Sequence, residues 1–201
     1  MKFARTVMIT LALAVLVAGT TSAELDNAIG IYHPLPTGTD NLMDHTNYTG
    51  QPGAFQVYAV LTNPNNDNTG TPIANLGGFE FRLELPGAVA LTGVQLPASC
   101  TNFLSPPEFL VGANLPVIGG MVTLATISLA EMSGQKSSIY LAPVNSVASI
   151  PGAMAIADAD DEFSLSEAVP ASGGFDVPVF GLYFVPPEED ASWGRVKTLY
   201  R

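Results

Sequence analysis

Residues Gly78–Pro86 (GFEFRLELP) alternate without a break. Phe79, Phe81, Leu83 and Leu85 fall on one side; Glu80, Arg82 and Glu84 fall on the other. Successive side chains of an extended strand leave opposite faces, so a period of two describes a strand and no helix satisfies it. A strand with one dry and one wet face belongs to a sheet covered on a single side, which antiparallel sheets allow. Gly53–Thr62 (GAFQVYAVLT) repeats the pattern with Phe55, Val57, Ala59 and Leu61 inward, and Asn63–Pro72 after it is dense in turn-formers. Shorter apolar runs follow at Val89–Leu96, Phe109–Gly112, Gly120–Leu129, Ser137–Ala142, Ala153–Ala157, Phe163–Leu165 and Phe175–Phe184, with Ala28–His33 in front. Pro178 marks the last run as an edge or a bulge. The 19 glycines and 16 prolines punctuate these runs, and only 12% of residues are charged, too few to clothe exposed helices. The series predicts an all-β fold: a two-sheet antiparallel β-sandwich of jelly-roll or Greek-key type with about nine strands. It occupies residues 24–185 as one domain. His33–Pro52 is a long stretch of turn-formers, either a functional loop or the cover of a short strand.

The two ends read differently from the body. Lys2 and Arg5 precede the apolar run Val7–Ala18, and small residues close with Thr21-Ser22-Ala23. That is a secretory signal peptide over 1–23, helical, with cleavage before Glu24. Its apolar run spans roughly 18 Å as a helix, short of the ~30 Å hydrocarbon core, so no membrane span is expected after cleavage. The expected location is secreted or extracytoplasmic, periplasmic or at the cell surface. At the other end, 186–190 (PPEED) reads as a stiff acidic linker and 191–201 as a short amphipathic C-terminal helix. There Trp193, Val196 and Tyr200 share a face, while Arg195, Lys197 and Arg201 sit near the C-terminus, where the helix dipole favours them. Trp193, Arg195, Val196, Lys197 and Tyr200 are the candidate contact residues of this tail. From Glu24 to Pro187 only Arg82 and Lys136 oppose the carboxylates. A body of that sign repels phosphate and anionic lipid, which argues against nucleic acid or a membrane surface as partner.

Little in the chain points to catalysis. No G-x-S-x-G occurs, and Ser133-Gly134-Gln135-Lys136, an S-x-x-K in letters, lies between strand-like runs as a hairpin turn. His33 and His45, with Asp40 and Asp44, form no recognised metal spacing and read as solvated loop residues. The lone Cys100 forms no internal disulfide and reads as a small buried hydrophobe. Asp158, Asp160, Asp161 and Glu162 crowd into five positions. Clustered carboxylates suit Ca²⁺, which takes several oxygen ligands, although Phe163 stands where a calcium loop wants glycine. Calcium is thus the one candidate cofactor, against a solvated acidic turn. Stacking of a polysaccharide would fall to Tyr32, Tyr48, Tyr58, Tyr140 and Tyr183, because the body has no tryptophan. Asn47-Tyr48-Thr49 is a glycosylation sequon in letters.

Over Ala54–Leu96, a strand of the AFQVYAVLTNP type followed by GGFEFRLELPGAVALTGVQL resembles the front half of a cohesin-like domain. The family is a secreted jelly-roll related in fold to some carbohydrate-binding modules, and the resemblance implies protein docking or surface attachment. Pro86-Gly87 stands where that family has an aspartate, so no partner-binding residue is carried over. The tail SWGRVKTLYR resembles the sorting tails of bacterial surface proteins, without an LPxTG-like motif. The expected function is a non-catalytic secreted structural or binding module of a bacterial envelope or extracellular assembly, with a protein or cell-surface component as partner. The alternatives are a carbohydrate-binding module using a sheet face and a calcium-dependent adhesion-type domain.

Overall fold

A computed structural model describes residues 25–39, 42–85 and 87–183. The expected signal peptide, linker and tail lie outside these residues. The described chain is all-β. Its strands are β1 (Ala28–Tyr32), β2 (Asn47–Tyr48), β3 (Gly53–Thr62), β4 (Asn65–Asn66), β5 (Thr71–Pro72), β6 (Asn75–Glu84) and β7 (Val89–Gln95). There follow β8 (Thr101–Asn102), β9 (Glu108–Pro116), β10 (Met121–Glu131), β11 (Ser137–Ala142), β12 (Met154–Asp158), β13 (Ser164–Pro170) and β14 (Phe180–Leu182). A 3-10 turn at Leu42–His45 and β2 are what His33–Pro52 conceals. Among the described residues no helix is long and apolar enough to cross a membrane.

The strands join edge to edge in the order β2-β14-β11-β6-β12-β13-β1-β3-β10-β7, with β9 on the other edge of β6 and β8 beyond it. Two features depart from the antiparallel expectation. β14 runs parallel to β2. β13 pairs antiparallel with β12 and parallel with β1, which links the β6 side of the fold to the β3 side through hydrogen bonds. The inward residues of both sides fill one core: Ile29, Ile31, Val57, Leu61 and Ile127 from one, Phe79, Phe81, Phe109, Val111 and Ile156 from the other. Phe81 and Phe109 stack with ring centroids 4.6 Å apart. Each fully buried aromatic of this kind contributes roughly 1.5–3 kcal/mol over an exposed one.

The alternation in β6 has its expected dry face, since Phe79, Phe81 and Leu83 are buried. Its other face is not uniformly wet. Glu80 is only 2% exposed. The reason is non-local: β11 pairs with β6 at Arg82–Glu84 and β12 pairs with it at Leu76–Glu80, and the chain between them brings the Ser149 N–H onto the Glu80 carboxylate. The segment Ser133–Lys136 also differs from the expected hairpin. β10 pairs with β3 and β7, whereas β11 pairs with β6 and β14, so the segment crosses between the two sides of the fold. The strand expected over Phe175–Phe184 narrows to Phe180–Leu182, with Pro178 ahead of it.

Candidate functional site

In β6, β9 and β12 the side chains of Phe79, Val111 and Ile156 point into the core, so the residues alternating with them face the other side of the sheet. Gly78, Gly112, Ala155 and Ala157 occupy those outward positions, and together they form the floor of a groove of about 280 Å³. Small residues here leave the sheet backbone shallowly covered. A Cβ built on Gly78 would come within 2.8 Å of the Val111 carbonyl, so glycine is what lets β6 and β9 approach so closely. Phe103, Leu110 and Leu165 rise along the groove. Phe103 is 69% exposed and Leu165 44% exposed, although both are large and apolar. The Phe103 ring lies over Gly112, where a Cβ would meet it at 3.3 Å.

Glu80 and Ser149 line the same groove. Both Glu80 carboxylate oxygens accept the single Ser149 N–H, at 3.1 Å each. A carboxylate offers about four lone-pair sites, and burial makes each unfilled one costly. Neighbouring charges on this face are mostly acidic. Arg82 is committed to Glu84 at 2.7 Å, and Glu108 accepts the Asn145 N–H at 2.7 Å. The site is therefore an apolar trough with a buried, under-supplied acceptor at one place. No sequence signal announced it, because its floor is made of glycines and alanines drawn from three strands.

The acidic run predicted for calcium forms the β12–β13 turn. Asp158 is buried, and its Oδ2 and the Asp161 Oδ2 both accept from Asn66 Nδ2 at 2.9 Å. Asn66 is fully buried, and its Oδ1 accepts the Asn68 and Thr69 N–H groups, which fixes the amide's orientation. Asp160 accepts from Asn75 Nδ2 at 2.8 Å, and Asp158 Oδ1 accepts the Asp160 N–H. Glu162 takes a positive φ of 48° at the turn. The turn is thus clipped to the β4–β5 hairpin by Asn66. Among the described residues no group of three or more His, Cys, Asp or Glu is placed to hold a metal ion.

A second polar cluster lies at Glu131, the end of β10. Its carboxylate accepts the Ser133 N–H at 2.8 Å, the Gly134 N–H at 2.9 Å and the Ser133 hydroxyl. These donors, the Ser133 hydroxyl foremost, lower its pKa to about 2. Tyr183 nearby is pushed up to about 12, first by burial and then by the Glu131 carboxylate. The tyrosines do not line up as a sugar platform. Tyr32 is buried opposite Tyr58 across β1–β3, Tyr48 stacks on Phe55 at 4.3 Å and meets the Tyr183 ring edge-on at 6.0 Å, and Tyr140 stands apart on β11. His33 Nδ1 bonds the Gln56 carbonyl at 2.7 Å. Cys100 packs half-buried against the core, and burial raises its thiol pKa. Trp193, Arg195, Val196, Lys197 and Tyr200 lie outside the described residues, as does Asp40.

No protein-family model matches the chain, and no curated protein matches it. Among solved structures it is similar to a non-cellulosomal cohesin from the hyperthermophilic archaeon Archaeoglobus fulgidus, at 12% identity and a TM-score of 0.40. The likeness covers 68% of this chain and 83% of that one.

Proposed function

We propose that this chain is a non-catalytic docking module, a two-layer β domain of jelly-roll type that receives a protein segment in the groove over β6, β9 and β12. The observation that carries the reading is the groove's chemistry: exposed Phe103 and Leu165 flank a Gly/Ala floor in one concave trough, on a body whose charged residues are mostly acidic. Large apolar side chains left in water cost free energy that a partner recovers by covering them, and central apolar anchors dominate docking energetics. The shallow floor admits a partner main chain at close range. Delivery by the signal peptide of residues 1–23 places the module outside the cytoplasm, in an envelope or extracellular assembly.

The test is selection of a random peptide library on the native chain, with counter-selection on Ala157→Arg, whose side chain fills the groove. Enrichment of peptides that bind the native chain and lose binding to the variant supports the reading. Absence of any such peptide, with Trp193 of the full chain as accessible to acrylamide as in a free peptide of residues 191–201, removes it. Calcium at 158–162 is a separate proposal, resting on the crowding of Asp158, Asp160, Asp161 and Glu162. Thermal melts with calcium and with chelator decide it: a higher midpoint in calcium supports a site there, and superimposable curves remove it.

A further inference from the structure

We infer that the groove's occupant is the chain's own basic C-terminal segment, residues 191–201. The inference rests on the docking reading above and names its partner. Three observations carry it. The groove needs an apolar anchor to cover Phe103 and Leu165, and a hydrogen-bond donor for Glu80, which is 2% exposed yet supplied by one N–H. The segment offers both: Trp193, Val196 and Tyr200 as anchors, and Arg195, Lys197 and Arg201 as donors. The charges also match, because three of the five basic residues after Ala23 sit in this segment and the body is acidic. Charge complementarity of this kind steers association and fixes register.

The segment has the reach. The described chain ends at Tyr183, just past β14, and β14 stands two places from β6 in the strand order. Strands are ~4.8 Å apart, so that is a lateral distance of roughly 10 Å. Residues 184–201 extend at most to about 60 Å, more than a domain of this size is wide. A partner bearing the same pattern of an aromatic or aliphatic anchor next to a cation would then displace the segment by competition.

Trp193 is the chain's one tryptophan, so its fluorescence reports on this segment without a label. In the full chain its emission is expected blue-shifted, and less accessible to acrylamide, relative to a synthetic peptide of residues 191–201. Ala157→Arg, and independently Leu165→Asp, are expected to return both readings to those of the peptide, with far-UV circular dichroism unchanged. Glu80→Gln is expected to weaken docking about tenfold, the scale of one charge-assisted hydrogen bond. Emission in the native chain equal to the free peptide's overturns the inference, and so does a blue shift that neither groove variant moves. If groove-specific library peptides bind while Trp193 is as exposed as in the free peptide, the tail inference fails and the docking reading stands. If no groove-specific peptide exists either, both fail.

Discussion

Asn66 joins two turns through one buried amide, with donors and acceptors all engaged. Asn66→Ala strips the donor from two carboxylates, one of them buried, and is expected to cost about 2–4 kcal/mol in urea denaturation. An unchanged urea midpoint would show that water replaces the amide. Glu131 gives a pH signature. Its folded pKa of about 2 lies below the ordinary glutamate value of 4.5, so its contribution is present above about 4.5 and is lost as pH falls toward 2. Glu131→Gln is expected to flatten that part of the stability–pH curve; a variant curve parallel to the native one would place the acid sensitivity elsewhere. The Asn63–Pro72 run was legible as a turn because its residue types tolerate turn geometry. Its partner at Asp158 and Asp161 was not, because sequence pattern records local conformation and not which distant carboxylate an amide reaches.

Among the elements, β1, β3, β7 and β11 could be read from the chain nearly to their ends, and β6 to within three residues, since a period of two is a local property of the pleat. The two-residue strands β2, β4, β5 and β8 could not, being too short to carry any period. Glu80 shows the same limit: alternation assigned it correctly to the outward face of β6, but its burial depends on the segment between β11 and β12. The groove floor makes a paired prediction. Gly78→Ala drives a methyl toward the Val111 carbonyl and is expected to cost about 1–3 kcal/mol. Gly77→Ala meets the ring of Phe163, which is 57% exposed, and the Ala159 Cα at 3.1 Å, a looser backbone contact than the 2.8 Å at Gly78, so its cost is expected to be smaller. Equal losses in the two variants, by thermal or urea denaturation, would mean that the β6–β9 spacing is not what Gly78 protects.

For the molecule as a whole, the all-β class was legible from alternation and turn-formers, whereas the strand order was not, because pairing partners leave no mark on either sequence. Deleting Ala191–Arg201 is expected to leave the far-UV circular dichroism of the β domain intact while changing where the protein accumulates. Unchanged localisation, measured by fractionation, would sink the sorting role read from the tail. One consequence lies in the pairing of β1 with β13, where Ala28 meets Val169 and Ile29 meets Pro170. A chain made or delivered N-terminus first places β1 in position long before its neighbour exists. Loop closure over that separation is slow compared with local hairpins, so the late arrival of β13 sets the moment at which the domain seals. Until then the chain stays open enough to thread, which is what the export proposed above would require of it in transit.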